Sequence, residues 1–208
     1  MGNIIIFSAH ADDSAVGVMG TILKEIDKGN TVLEVIFSAG EMSHPHLKGE
    51  IVSRKRSNET LSVNKKIGME TLFLGLPDFN LGKSIDKKTK EDIKEIIESN
   101  NPEKIFVTSE HDLHKDHRAV FQTIMDALKY IESDCKVYTY EVWNIFKENK
   151  PSMYVDISDC FYKKVKYMKQ YKSQWQSMYT LMLPVYVRAW IYGRKIKKKY
   201  AEKFYRIK

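Results

Sequence analysis

The chain has 208 residues, 43% of them hydrophobic and 29% charged, which suits one buried α/β core and excludes a disordered chain. No apolar run approaches the roughly 18 residues of a membrane span, and the Met-Gly-Asn start lacks a basic segment followed by an apolar one, so a soluble, cytoplasmic protein is expected. The net charge of +7 is uneven: residues 188–208 hold nine Lys/Arg and one Glu, leaving the rest near −1.

Four apolar stretches rich in β-branched residues alternate with helical patterns. Residues 3–8 (NIIIFS) read as a strand, followed by a helix over 15–28 with Val16, Met19, Leu23 and Ile26 on one face and Gly29 as its stop. Residues 31–37 (TVLEVIF) form the second strand. A loop containing His44, Pro45 and His46 then leads to a helix ending at Ile67-Gly68. The third strand covers 71–75, a helix covers 88–99, the fourth strand covers 104–108, and a helix covers 118–131. This alternation predicts a Rossmann-like α/β fold, a parallel sheet with helices on both faces. Residues 136–142 and 152–157 add two strand-like pieces, and a helix spans 161–171. The last forty residues are aromatic and basic, with a break expected at Pro184, and read as a helical appendage. The expected organisation is one domain, with residues 1–135 as its core and 136–208 as C-terminal strands and helices.

Ligands of open α/β sheets bind beyond the carboxyl ends of the strands. Two loops there hold nearly all the candidate acid/base and metal-ligating side chains: His10, Asp12 and Asp13 after strand one, and His111, Asp112, His114, Asp116 and His117 after strand four. Two imidazoles, a carboxylate and an open position make a catalytic zinc site, although iron or manganese also suits such a donor set. A neighbouring carboxylate can take a proton from the activated water, and a further histidine can protonate a leaving group or steady an oxyanion. No G-x-G-x-x-G turn is present, since Gly17 and Gly20 fall inside the first helix, so a nucleotide site is not indicated. Cys135 and Cys160 are the only cysteines, with neither a disulfide framework nor a C-x-x-C pair, and read as packing residues.

The two loops read Ala9-His10-Ala11-Asp12-Asp13-Ser14 and Asp112-Leu113-His114-Lys115-Asp116-His117-Arg118. They resemble the A-H-P-D-D-E and D-x-H-x-D-H-R signatures of the PIG-L/LmbE-like N-acetylglucosamine deacetylases. The similarity continues through Arg56-Ser57-Asn58-Glu59, Phe73 to Asp78, and Tyr200 to Phe204, so it spans essentially the whole chain. The resemblance implies hydrolysis of an N-acetyl group from an amino sugar. His10, Asp13 and His117 would bind zinc, and Asp12 would be the general base. His114 would serve the oxyanion or the departing amine, with Asp116 as its hydrogen-bond partner. Arg56 and Asp78 would hold sugar hydroxyls. Ala11 replaces the family's Pro and Ser14 its Glu; Ser14 is expected to cap the helix beginning at Ala15.

Plainer readings compete at several positions. His111 reads as a loop residue, and His44 and His46 as solvent-exposed. Arg56 could belong to a charged helix face, and Asp78 to an Asx turn. A second overall reading is a catalytically impaired family member that binds an anionic partner through its basic tail. A solvated basic helix is the simplest account of that tail, with weak membrane association through residues 188–208 left open and no nucleic-acid partner expected. The aromatic C-terminal helices and the resemblance together point to a homo-oligomer, a trimer or hexamer.

Overall fold

The computed structural model describes residues 2–43, 48–144 and 149–208. Seven strands form one sheet: β1 (Asn3–His10), β2 (Thr31–Ser38), β3 (Glu70–Phe73), β4 (Lys104–Thr108), β5 (Lys136–Tyr140), β6 (Ser152–Asp156) and β7 (Ala201–Arg206). Their order is β3-β2-β1-β4-β5-β7-β6. The first five are parallel, with Ile4 beside Val32 on one flank and Lys104 on the other. Chain direction across the sheet therefore reverses at β1 and β4, and the crevice beyond their carboxyl ends is the place where such sheets receive ligands.

Period-two alternation explains the two cores. Ile4 and Ile6 of β1 pack into one, with Met19, Ile22 and Phe106; Ile5, Phe7 and Ala9 pack into the other, with Val107, Val120 and Ile124. No helix among the described residues is long and apolar enough to cross a membrane.

The helix expected over 15–28 is two: α1 (Asp13–Gly17) and α2 (Met19–Asp27), broken at Val18. The break is held by partners far along the chain. The Glu202 carboxylate accepts from Gly20 N at 2.9 Å, Thr21 N at 2.7 Å and Thr21 Oγ1 at 2.6 Å, satisfying donors at the start of α2. Buried Lys164 bonds both Glu202 Oε1, at 2.7 Å, and the Val16 carbonyl of α1, at 2.6 Å. Helix α1 starts at Asp13, so Ser14 lies within its first turn and is not the cap; Asp12 holds that position.

The remaining helices are α3 (Gly49–Ile67), α4 (Leu81–Ser84), α5 (Lys87–Asn100), α6 (Lys115–Leu128), α7 (Phe161–Met168) and α8 (Trp175–Lys195). Gly68 ends α3 at φ +83°, as expected, and the Asp86 side chain caps α5 through Thr89 N. Two C-terminal expectations fail. Pro184 does not break α8; it sits on the exposed face, where the carbonyl it leaves unbonded is at the surface. The tail is also not purely a helical appendage. Strand β7 pairs antiparallel between β5 and β6, and its charges are buried against partners, Glu202 with Lys164 and Lys203 with Glu141.

Strand β2 carries a fully buried carboxyl, Glu34, which accepts from Ser8 Oγ at 2.8 Å and Asn64 Nδ2 at 2.7 Å. Burial drives it up from 4.5 to about 7, against the opposing contacts with Ser14, Asn64 and Ser8. A carboxyl raised in the fold holds its proton more tightly there than in the unfolded chain. Its contribution to stability is whole below about pH 4.5 and is lost as pH rises through about 7. Urea denaturation is expected to show Glu34→Gln gaining on the wild type by on the order of 3 kcal/mol between about pH 4.5 and 8. A stability difference that stays flat across that range would show that Glu34 is not the titrating group.

Candidate metal centre and its cavity

His10 is the last residue of β1, and Asp13 opens α1 three residues later. Asp13 Oδ2 folds back to accept from His10 N at 2.8 Å, which pins the loop between them. From the other side of the crevice, α6 presents His117. The three side chains converge: His10 Nδ1 lies 3.3 Å from His117 Nε2, His117 Nε2 lies 3.3 Å from Asp13 Oδ1, and His10 Nδ1 lies 3.7 Å from Asp13 Oδ2. Metal–ligand bonds of about 2.0–2.2 Å in a tetrahedral site separate the donors by about 3.3–3.6 Å, a spacing met by the His10–His117 and His117–Asp13 pairs, and ligand atoms of His10, His114 and His117 also lie within 4.8 Å of one another.

Carboxylates fix both rings from behind. His10 Nε2 faces Asp78 Oδ1 at 3.1 Å and Asp116 Oδ2 at 3.6 Å, while His117 Nδ1 faces Asp112 Oδ2 at 3.1 Å. Each imidazole therefore turns its other nitrogen toward the shared centre, the arrangement that orients metal-binding histidines. Asp112 has no role in the sequence reading, although it is the first residue of the second signature. Its Oδ2 also accepts from Trp143 N at 3.0 Å.

Burial alone pulls His10 down, but contacts with Asp116 and Asp78 and the charge of Asp13 outweigh it and lift the ring to about 9. His117 goes the same way: burial opposes, and Asp13 and Asp112 raise it to about 10. Asp13 is pushed well below the carboxylate range by the two imidazoles, against the opposing effect of its burial. A cation entering here takes the place of protons on these rings.

Asp12 lies on the other side of the centre. Arg56 Nη2 bonds Asp12 Oδ1 at 2.5 Å, and Arg56 Nη1 bonds the Gly40 carbonyl at 2.9 Å. Gly40 has φ +78°, and a Cβ there would stand 1.8 Å from Arg56 Nη1, so only glycine allows this approach. Arg56 is buried, not part of an exposed helix face, and its two Nη atoms bond Asp12 and the Gly40 carbonyl while Nε has no hydrogen-bond partner among the described residues. Asp78 likewise spends one oxygen on His10, and its two oxygens accept from Phe79 N and Met42 N.

His114 caps α6: its Nδ1 accepts from Asp116 N at 3.3 Å, which leaves Nε2 to carry the ring proton. Burial and then the positive charges of His10 and His117 hold its pKa below the usual value, so the ring is neutral near pH 7. The Asp116 carboxylate differs from expectation. It accepts from Leu81 N at 3.1 Å and turns to His10, and only the Asp116 backbone meets His114. His111 is half-exposed and outside the cluster, while His44 and His46 lie outside the described residues.

The cluster floors a cavity of about 260 Å³. It is lined by the polar His10, Asp12, Asp13, Arg56, Asp78 and His114 and by the apolar Phe79, Trp143 and Leu181, which come from three separate segments of the chain. The departures at positions 11 and 14 leave every donor in place. The Ala11 carbonyl is held by Thr60 Oγ1 at 2.9 Å, which fixes the loop without a proline.

A Rossmann-order sheet with a His/Asp donor cluster at its switch point defines the class of protein. Residues 5–128 match the family described as PIG-L: GlcNAc-PI de-N-acetylase, and the chain belongs to that family. It is 23% identical, over 96% of its length and 80% of the relative's, to the diacetylchitobiose deacetylase of Thermococcus kodakarensis. Among solved structures it is similar to the N,N'-diacetylchitobiose deacetylase of Pyrococcus horikoshii, with a TM-score of 0.85 at 21% identity, covering 99% of this chain and 84% of that one. It is equally similar to GalB, the 4-carboxy-2-hydroxymuconate hydratase of Pseudomonas putida KT2440, with a TM-score of 0.86 at 18% identity over 100% and 97% of the two chains. These structural likenesses establish the fold, which hosts more than one reaction.

The proton balance of the cluster predicts how it takes up metal. Zinc affinity is expected to rise with pH from about 6 to 9, because the ion must displace protons held at His10 and His117, and to level off above about 10. Equilibrium dialysis with metal mass spectrometry is the measurement, with about one zinc per chain in wild type and loss of stoichiometric zinc in His117→Ala. A pH-independent affinity would contradict the assignment of these rings.

Proposed function

We propose that the chain is a metal-dependent N-deacetylase that hydrolyses the acetamide of an N-acetylglucosamine-type sugar or glycoconjugate. The observation that carries this reading is the placement of Asp12 and His114 on the same cavity as His10 and Asp13, with His117 buried directly behind them. His10, Asp13 and His117 would hold the ion, zinc by donor type and spacing, which when bound supplies carbonyl polarisation and an acidified water.

Asp12 takes the proton from the attacking water, and its bond to Arg56 keeps the carboxylate aimed at one position. His114 donates from Nε2 to the oxyanion that develops as the carbonyl carbon becomes tetrahedral. Collapse breaks the C–N bond and releases acetate, while the nitrogen leaves as an amine carrying the proton taken up by the acid/base pair. Asp78, Asp112 and Asp116 hold the imidazoles in place. Arg56 and Asp78 line the cavity, but their bonds to Asp12 and His10 support a positioning role over the hydroxyl-binding role that the resemblance implies. Phe79, Trp143 and Leu181 offer the apolar surface against which a sugar ring packs.

Acetate release from N-acetylglucosamine, diacetylchitobiose and N-acetylglucosaminides by the zinc-loaded protein tests the reading. Asp12→Asn is expected to lower kcat by about 10²–10⁴ with zinc content and melting temperature retained. His114→Ala is expected to lower kcat by about 10²–10³ with a smaller change in KM. Chelation abolishes turnover and zinc restores it. Undiminished activity in Asp12→Asn would overturn the mechanism, and a zinc-loaded protein that releases no acetate from any of these substrates would overturn the activity.

A further inference from the structure

Residues 161–201 contain eleven lysines and arginines and not one aspartate or glutamate. The fold turns this segment into a surface of defined shape. Helix α8 buries Met178, Leu181, Val185 and Ala189 and leaves the opposite side uncovered. Along that side Trp175, Tyr179, Leu183, Val187, Trp190 and Ile191 are each between 41% and 71% exposed. At about 1.5 Å per residue the stripe runs about 24 Å. Arg194 and Lys195 close it at the carboxyl end, followed by Lys197, Lys198 and Lys199, while Lys172 stands at the other end; all are exposed.

We propose that this face of α8 docks the protein on an anionic lipid membrane, lying on the bilayer and not crossing it. Tryptophan and tyrosine favour the interfacial zone, aliphatic side chains enter its apolar edge, and flanking lysines meet anionic headgroups. Charge complementarity selects this occupant. Two copies of the face bring like charges together in a parallel pairing. In an antiparallel pairing each basic end meets the partner helix's amino end, which is itself partly positive. A nucleic acid would match the lysines but leave Leu183, Val187 and Ile191 without an apolar partner. Because Ser177 and Leu181 of the same helix line the catalytic cavity, docking holds that cavity within one helix width of the bilayer. The docking itself does not depend on the proposed deacetylation.

The test mixes the full chain with phosphatidylcholine vesicles, with or without about 30% phosphatidylglycerol. Wild type is expected to sediment with the anionic vesicles at low salt, to remain in the supernatant with neutral ones, and to show a blue shift of tryptophan emission on binding. The double variant Leu183→Glu/Trp190→Glu is expected to lose at least about tenfold in partitioning. Its melting temperature and far-UV circular dichroism are read alongside to show that it folds. Wild type that does not sediment with anionic vesicles overturns the proposal, as does a double variant that binds them equally well. A dimer in sedimentation velocity that the double variant dissociates, without vesicle binding by wild type, assigns the face to a second copy instead. Binding to duplex DNA in place of vesicles equally overturns it. Acetate release is assayed separately, so failure of either reading is recognised on its own.

Discussion

The structure depends on one electrostatic constraint: five carboxylates, from Asp12, Asp13, Asp78, Asp112 and Asp116, crowd around two imidazoles where β1 and β4 end. Like charges this close are tolerable only with cations among them. Arg56 answers for Asp12, and protonated imidazoles or a metal ion answer for the others. The raised His10 and His117 and the depressed Asp13 are two sides of that balance. Parallel strands are what make it possible. They bring loops 100 residues apart to the same edge, and the sheet's apolar faces exclude the water that would otherwise screen the charges.

Pairs of groups whose surroundings separate their protonation states mark acid and base roles. His114 and His10 are such a pair. Both are histidines of the same cluster, with rings 4.8 Å apart, but His10 is backed directly by carboxylates, whereas at His114 burial and the positive charges of its neighbours outweigh Asp13 and Asp116. One is held as an orienting cation or ligand and the other as a neutral donor. The division follows from what stands behind each ring, not from the ring itself.

Much of this was legible in the sequence because its signals are local. Apolar runs of β-branched residues placed β1, β2 and β4, and two short loops held the donors at the strand ends. What was missed depends on distant partners. Glu202 and Lys203 read as solvated charges of a basic tail; in the fold they are buried in β7 because Lys164 and Glu141 meet them. The break at Val18 is flanked by Gly17 and Gly20, but the group that satisfies its free amides is a carboxylate 182 residues from Gly20. The resemblance pairs Asp116 with His114, yet the first turn of α6 points the Asp116 carboxylate to His10 and only its backbone N–H meets His114. The resemblance gives Arg56 to sugar hydroxyls, and only the fold reveals its bond to Asp12.

The Glu202–Lys164 pair also explains why the C-terminal segment is integral to the site. A buried ion pair stabilises little over an apolar alternative, because desolvation offsets most of the attraction. Its value here is positional: Lys164 holds the Val16 carbonyl of α1, Glu202 holds the Gly20 and Thr21 amides of α2, and α1 begins with Asp13. The break also sets α1 apart from α2, and Gly17 allows Tyr140 to pack against it, since a Cβ there would stand 2.2 Å from that ring. Removing either charge would strand the other in the core and free the short helix that carries Asp13. Strand β7, the helix α8 that packs on it, and the loop from His10 to Asp13 are therefore one mechanical unit, although the chain visits them at opposite ends.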